Sequence, residues 1–197
     1  YYLPRIWMRT RRAVARSWEA ANARPYLFAG VGAGADIVAW KQSARAELAE
    51  AAPGAQYAQV LLDLVKAFDR VPHFVLVREA IALGYSLWIL RLSLEAYRSG
   101  RRIRVEGALS ELVIPRRGIT AGSGLATTEM RVLLLRIIDR AWRAYPCVVP
   151  TLFVDDISAE ASGGPATVLQ QVVGFTIQVC DDMSADLLEV SCKKSLC

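Results

Sequence analysis

Thr151-Leu152-Phe153-Val154-Asp155-Asp156-Ile157-Ser158 sets two adjacent carboxylates inside an apolar, β-branched run. An unpaired carboxylate buried in such surroundings costs several kcal/mol or more. The pair is therefore expected at the tip of a strand-turn-strand, as a two-residue Asp155-Asp156 turn where it stays ionised and can hold a cation. A second strand-like run, Tyr57-Ala58-Gln59-Val60-Leu61-Leu62, ends in a third carboxylate, Asp63. Two strands bringing three carboxylates to one place suit phosphoryl chemistry with two magnesium ions roughly 3.5–4 Å apart, which stabilise the attacking and leaving oxygens of an in-line displacement. Taken singly, Asp155 and Asp156 read more readily as exposed turn residues, and Asp63 as a helix cap.

Composition bounds the reading. The 197 residues suit one domain, or one domain with a small appendage, and can bury a packed core. Twenty-four Lys and Arg against 19 acidic residues give a formal charge of +5, carried mostly by Arg, whose planar fork matches phosphate. Cys147, Cys180, Cys192 and Cys197 have no CxxC spacing, and the single His73 cannot complete a zinc cluster. Reduced thiols of an intracellular protein, nuclear or cytoplasmic and not secreted, are expected. No apolar run approaches the ~20 residues that span a bilayer, and no secretory signal opens the chain. The start at Tyr1 and the stop at Cys197 read as a fragment of something longer.

Local patterns place the elements. Arginines interleaved with Ile6, Trp7, Val14 and Trp18 predict a basic amphipathic helix to about Ala23. A loop follows to Gly34, then a helix from Ala35 to Ala52 stopped by Pro53-Gly54. Beyond the strand ending at Asp63 come helices from His73 to Leu83 and from Ser86 to Ser99, with Ser86 as N-cap. Arg101 to Ile114 alternates like a hairpin turning near Gly107-Ala108, which puts Arg102 and Arg104 on one face of its first strand as candidate nucleic-acid contacts. A helix from about Leu125 to Ala144, the carboxylate hairpin from Val148 to Glu160 and a helix across Val168 to Asp182 complete the order. Asp181-Asp182 is expected to face solvent. The class is α+β, a small antiparallel sheet backed by helices.

Four stretches in order carry a family resemblance. Asp63-Leu64-Val65-Lys66-Ala67-Phe68-Asp69-Arg70-Val71-Pro72-His73 resembles motif A of reverse transcriptases in the wording of non-LTR retrotransposons and group II intron relatives. Arg117-Gly118-Ile119-Thr120-Ala121-Gly122-Ser123-Gly124-Leu125 resembles motif B, Phe153-Val154-Asp155-Asp156 motif C, and Leu188-Glu189-Val190-Ser191-Cys192-Lys193-Lys194-Ser195 motif D. Motif B departs from the common wording, with Thr120, Ala121 and Gly124 where relatives carry proline, glutamine and proline.

The resemblance implies a right-hand polymerase with partial fingers over 1–56, a palm over 57–197 carrying a fingers-side helical and hairpin insertion around 84–117, and no thumb. It implies an RNA-directed DNA polymerase that extends a DNA primer on an RNA template with deoxynucleoside triphosphates. Two Mg²⁺, replaceable by Mn²⁺, would sit on Asp63, Asp155, Asp156 and the Leu64 carbonyl. The backbone of Lys66 and Ala67 would hold the triphosphate, Phe68 would gate against a 2′-hydroxyl, Ala121 and Gly122 would lie in the nucleotide pocket, and Lys194 would protonate pyrophosphate. Two other readings stand beside it: a decayed retroelement module that binds nucleic acid without catalysis, and an RNA-synthesising palm polymerase. Oligomeric state and element class are not legible.

Overall fold

The computed structural model describes residues 2–30, 34–120 and 122–195, with the side chains from residue 5 onward. The chain divides into two compact units. One gathers 1–22 and 66–133, the other 23–65 and 134–197, so the ranges 1–56 and 57–197 each contribute to both.

The second unit is built on three antiparallel strands in the order β1 (Gln56–Leu62), β5 (Asp156–Gly163), β4 (Val149–Phe153). Strand β5 is central and buried from Ile157 to Ala161, so both faces need cover. The register pairs Leu62 with Ile157 and Val60 with Ala159, which sets one apolar face. Helix α7 (Pro165–Ala185) packs on β1 and β5. It buries Val168, Val172, Phe175, Val179 and Met183, the i, i+4, i+7 stripe of a core-facing helix. Helix α2 (Ala35–Ala51) also packs on β1 and β5 but is held mainly by polar groups. Gln42 donates to Ser158 Oγ at 2.6 Å, and Arg45 pairs with Glu160, which also accepts the Tyr57 hydroxyl at 2.6 Å. The backbone at 26–28 covers the β4 edge: Phe28 N–H donates to Leu152 O and Leu152 N–H to Tyr26 O. Tyr26 and Arg24 both bond Asp139, on the half of α6 (Ala126–Ala144) that belongs to this unit.

The first unit is helical. Helix α1 (Tyr2–Ala21) buries Met8, Ala15 and Trp18; α4 (His73–Ala82) buries Val75, Leu76 and Ala80; α5 (Leu87–Tyr97) buries Ile89, Leu90 and Leu94. Trp18 Nε1–H donates to Leu83 O at 2.9 Å and its ring meets Tyr85 edge-on. A one-turn helix, α3 (Ala67–Arg70), and a short hairpin, β2 (Arg104–Val105) with β3 (Ala108–Leu109), complete it.

Element order and most boundaries agree with the sequence reading, and four details differ. The tight turn of the carboxylate hairpin is Val154-Asp155, with Asp156 opening β5 opposite Phe153. Asp182 does not simply face solvent: Arg140 donates to it at 2.7 Å, a partner 42 residues away that local reading cannot supply. Ser86 sits at the N-cap of α5, but its side chain makes no cap hydrogen bond. The hairpin strands span two residues each around Glu106-Gly107, both at positive φ, and Arg102 precedes them. Cys147, Cys180 and Cys192 are free thiols, and no helix among the described residues is long and apolar enough to cross a membrane.

Candidate active site

The sheet of the second unit sets the carboxylates. Strand β1 ends at Leu62, and the next residues pair with the chain near the C-terminus: Ser191 N–H donates to Asp63 O at 2.7 Å and Val65 N–H to Glu189 O at 2.8 Å. The Asp63 N–H donates to Ser195 Oγ at 3.3 Å, so the backbone of Asp63 is held at both its N–H and its carbonyl. Leu64 faces Val190 as the non-hydrogen-bonded pair of this ladder, so its carbonyl points away from it while its side chain is buried. The hairpin tip lies at the same end of the sheet, because Leu62 pairs with Ile157, the neighbour of Asp156. Val154 takes φ 61°, a left-handed conformation that is costly for a β-branched residue and sits next to the carboxylate it presents.

Electrostatics link the three acids. Burial pushes the Asp155 carboxyl above its ordinary range, and the charges of Asp156 and then Asp63 push the same way. Asp63 Oδ2 is buried without a hydrogen bond, and Nζ of Lys194 stands 3.5 Å from it in an ion pair. Lys194 is 73% exposed, so solvent screens that pair. Asp63 and Asp156 line a cleft of ≈ 350 Å³ with Lys194, Gln42, Ser158 and Val38, within the usual size of a small-ligand pocket.

Among the described residues, no three of His, Cys, Asp and Glu converge as a preformed metal cage. Magnesium keeps several waters and uses one or two carboxylates plus substrate phosphates, so a closed cage is not its ordinary protein site. The donor set fits such an ion: hard carboxylate oxygens, one of them on Asp63 buried without a hydrogen bond, and an Asp155 carboxyl raised by burial and by its acidic neighbours, a repulsion that a cation relieves.

The remaining sequence candidates lie in the first unit. Lys66 caps α3 at φ 49°, exposed, and its N–H and that of Ala67 donate to no described residue. Ala67 is buried and Phe68 half-buried. The motif B stretch docks on motif A through Gly118 N–H to Val71 O (2.8 Å), Ile119 N–H to Phe68 O (2.7 Å) and His73 Nε2–H to Gly118 O (2.8 Å). Arg98 Nε–H donates to His73 Nδ1, which fixes the neutral tautomer, and burial holds this imidazole below its usual range. Gly122 takes φ 78°, and a Cβ there would lie 2.5 Å from the Arg5 guanidinium. Ala121 lies outside the described residues. Arg102 and Arg104 are both exposed at the β2–β3 hairpin.

Two arrangements escaped the sequence. Ser123 Oγ bonds the Tyr97 hydroxyl at 2.7 Å, and Tyr97 in turn donates at 2.5 Å to Glu129, a carboxyl fully buried in α6 and pushed up to about 7 by that burial. The second is the Lys194–Asp63 pair. Both join residues too far apart in the chain for any spacing rule.

Neither a protein-family model nor a curated protein sequence matches the chain. Solved structures do. An apo telomerase from Candida tropicalis truncated from its C-terminal domain superposes with TM-score 0.67 at 14% identity, covering 96% of this chain and 40% of that one. An apo telomerase from the same organism gives 0.68 at 12% identity over 96% and 36%. Telomerase in complex with a TWJ fragment of telomeric RNA gives 0.65 at 12% over 94% and 32%. The chain spans well under half the length of each. At such identity the likeness is one of fold: nearly the whole chain has the fold of part of these telomerases.

Proposed function

We propose that the protein is an RNA-directed DNA polymerase, adding deoxynucleotides to a DNA primer on an RNA template. The observation that carries this is the carboxylate cluster: Asp155 at the β4–β5 turn and Asp156 beside it, electrostatically coupled to Asp63 at the end of β1. The fold shared with telomerases, which are reverse-transcriptase-related enzymes, supports it. Asp63, Asp155, Asp156 and the Leu64 carbonyl would hold two Mg²⁺, which supply charge stabilisation for an in-line phosphoryl displacement. The primer 3′-hydroxyl would give up its proton to water as its oxygen bonds the α-phosphorus, the bond from that phosphorus to the bridging oxygen of the β-phosphate would break, and the leaving pyrophosphate would take a proton from the Lys194 ammonium. That ammonium stands 3.5 Å from Asp63 Oδ2. By the resemblance, the N–H groups of Lys66 and Ala67 would bind phosphate oxygen, Phe68 would pack on the sugar and Gly122 would belong to the nucleotide pocket.

A second reading, a nucleic-acid-binding module without catalysis, is favoured by one observation: motif B carries Thr120, Ala121 and Gly124 where relatives have proline, glutamine and proline. Primer extension on an RNA template, comparing deoxynucleotides, ribonucleotides and a chelated control, separates the two. Extension with deoxynucleotides that the chelator abolishes is expected. RNA binding without extension in Mg²⁺ or Mn²⁺ selects the second reading.

A further inference from the structure

Helix α1 carries Arg5, Arg9, Arg12 and Arg16, all exposed. At 100° per residue these positions fall within an arc of about 60° and extend about 16 Å along the axis. Among the described residues none of the four guanidiniums forms a hydrogen bond or ion pair. The helix's only acid, Glu19, is at its far end and accepts the Thr128 hydroxyl. Four like charges on neighbouring turns repel one another, and no acidic side chain among the described residues pairs with them. Removal of the charges would relieve that repulsion, so the cluster calls for an anionic partner of comparable length.

We infer that this stripe tracks the phosphodiester backbone of a nucleic acid. Arginine at every position, with no lysine, favours planar bidentate contact with phosphate oxygens. Membrane insertion is disfavoured, because Met8, Ala15 and Trp18 are buried in the protein core and leave Ile6 and Val14 as the exposed large apolar residues among those described in the helix, too small an apolar face to enter lipid. The inference stands apart from the catalytic reading, since backbone tracking uses neither the carboxylates nor a metal.

The test measures binding of a single-stranded RNA oligonucleotide by fluorescence anisotropy across a salt series, without divalent ion or nucleotide. Releasing three contacts in the variant R9Q/R12Q/R16Q makes the slope of log Kd against log salt shallower by about 2 and weakens binding about 100-fold at roughly 0.1 M salt. All three side chains are exposed, so the far-UV spectrum and unfolding midpoint should stay as in the parent. Arg11 is on the same helix but outside the arc, and Arg11→Gln should leave the slope nearly unchanged. A triple-variant slope equal to the parent's overturns the inference. So does an Arg11→Gln loss as large as that of Arg12→Gln, or a loss confined to phosphatidylserine-containing vesicles.

Discussion

Gly118→Ala tests the docking of motif B on motif A at its tightest point. Gly118 takes φ 93°, where an L-residue loses roughly 1–2 kcal/mol. A Cβ there would stand 2.7 Å from the Asp69 carbonyl oxygen and 3.1 Å from its carbon, both backbone atoms that cannot rotate aside. The segment must therefore move, and the bonds from Gly118 N–H, Ile119 N–H and His73 Nε2–H, at 2.7–2.8 Å, stretch with it. At about 1 kcal/mol each, losing two or three adds about 2–3 kcal/mol, for a total of roughly 3–5 kcal/mol. That is a large share of the ~5–15 kcal/mol stability of ordinary domains. Urea unfolding and exchange of the Ile119 amide are the readouts, with Gly107→Ala as control. Gly107 has φ 90° but open space around its Cβ, so only the conformational cost of about 1–2 kcal/mol applies. A Gly118→Ala loss no larger than that of Gly107→Ala, with Ile119 protection intact, refutes the reasoning.

Two other outcomes are expected. Glu129, raised from 4.5 to about 7, keeps its proton in the folded state after the unfolded chain has released it, so this residue's contribution makes stability fall as pH rises from about 4.5 to 7. Glu129→Gln should remove that slope and gain on the order of 3 kcal/mol above pH 7, read by thermal or urea unfolding across pH. Phe68→Ala should raise ribonucleotide incorporation relative to deoxynucleotide in single-turnover extension, and an unchanged ratio would count against the gate.

What the sequence made legible was what is local. A helix across Val168 to Asp182 falls inside α7, and Pro53-Gly54 ended α2 close to where it stops. The hairpin bearing Asp155 and Asp156 followed from an apolar, β-branched run interrupted by two carboxylates. The turn slipped by one residue because turn propensity points at Asp-Asp, whereas the β1–β5–β4 register makes Asp156 a strand residue opposite Phe153 and forces Val154 into the left-handed region. Partnerships across the chain stayed hidden: Arg45 with Glu160, Arg140 with Asp182, Tyr97 with Glu129, and Lys194 with Asp63. Their geometry depends on tertiary packing rather than on spacing. The same holds for the grouping of 1–22 with 66–133, which chain order alone does not announce.

The central claim is that the coupled carboxylates perform nucleotidyl transfer, and Asp155→Asn addresses it directly. Asparagine keeps the side-chain shape while removing a charge that burial and two neighbouring acids disfavour, so folding should hold or improve. Single-nucleotide extension of a DNA primer on an RNA template should fall on the order of 10³-fold, the loss of several kcal/mol of transition-state stabilisation, with RNA affinity unchanged. Extension by Asp155→Asn at a rate near the parent's would contradict the account.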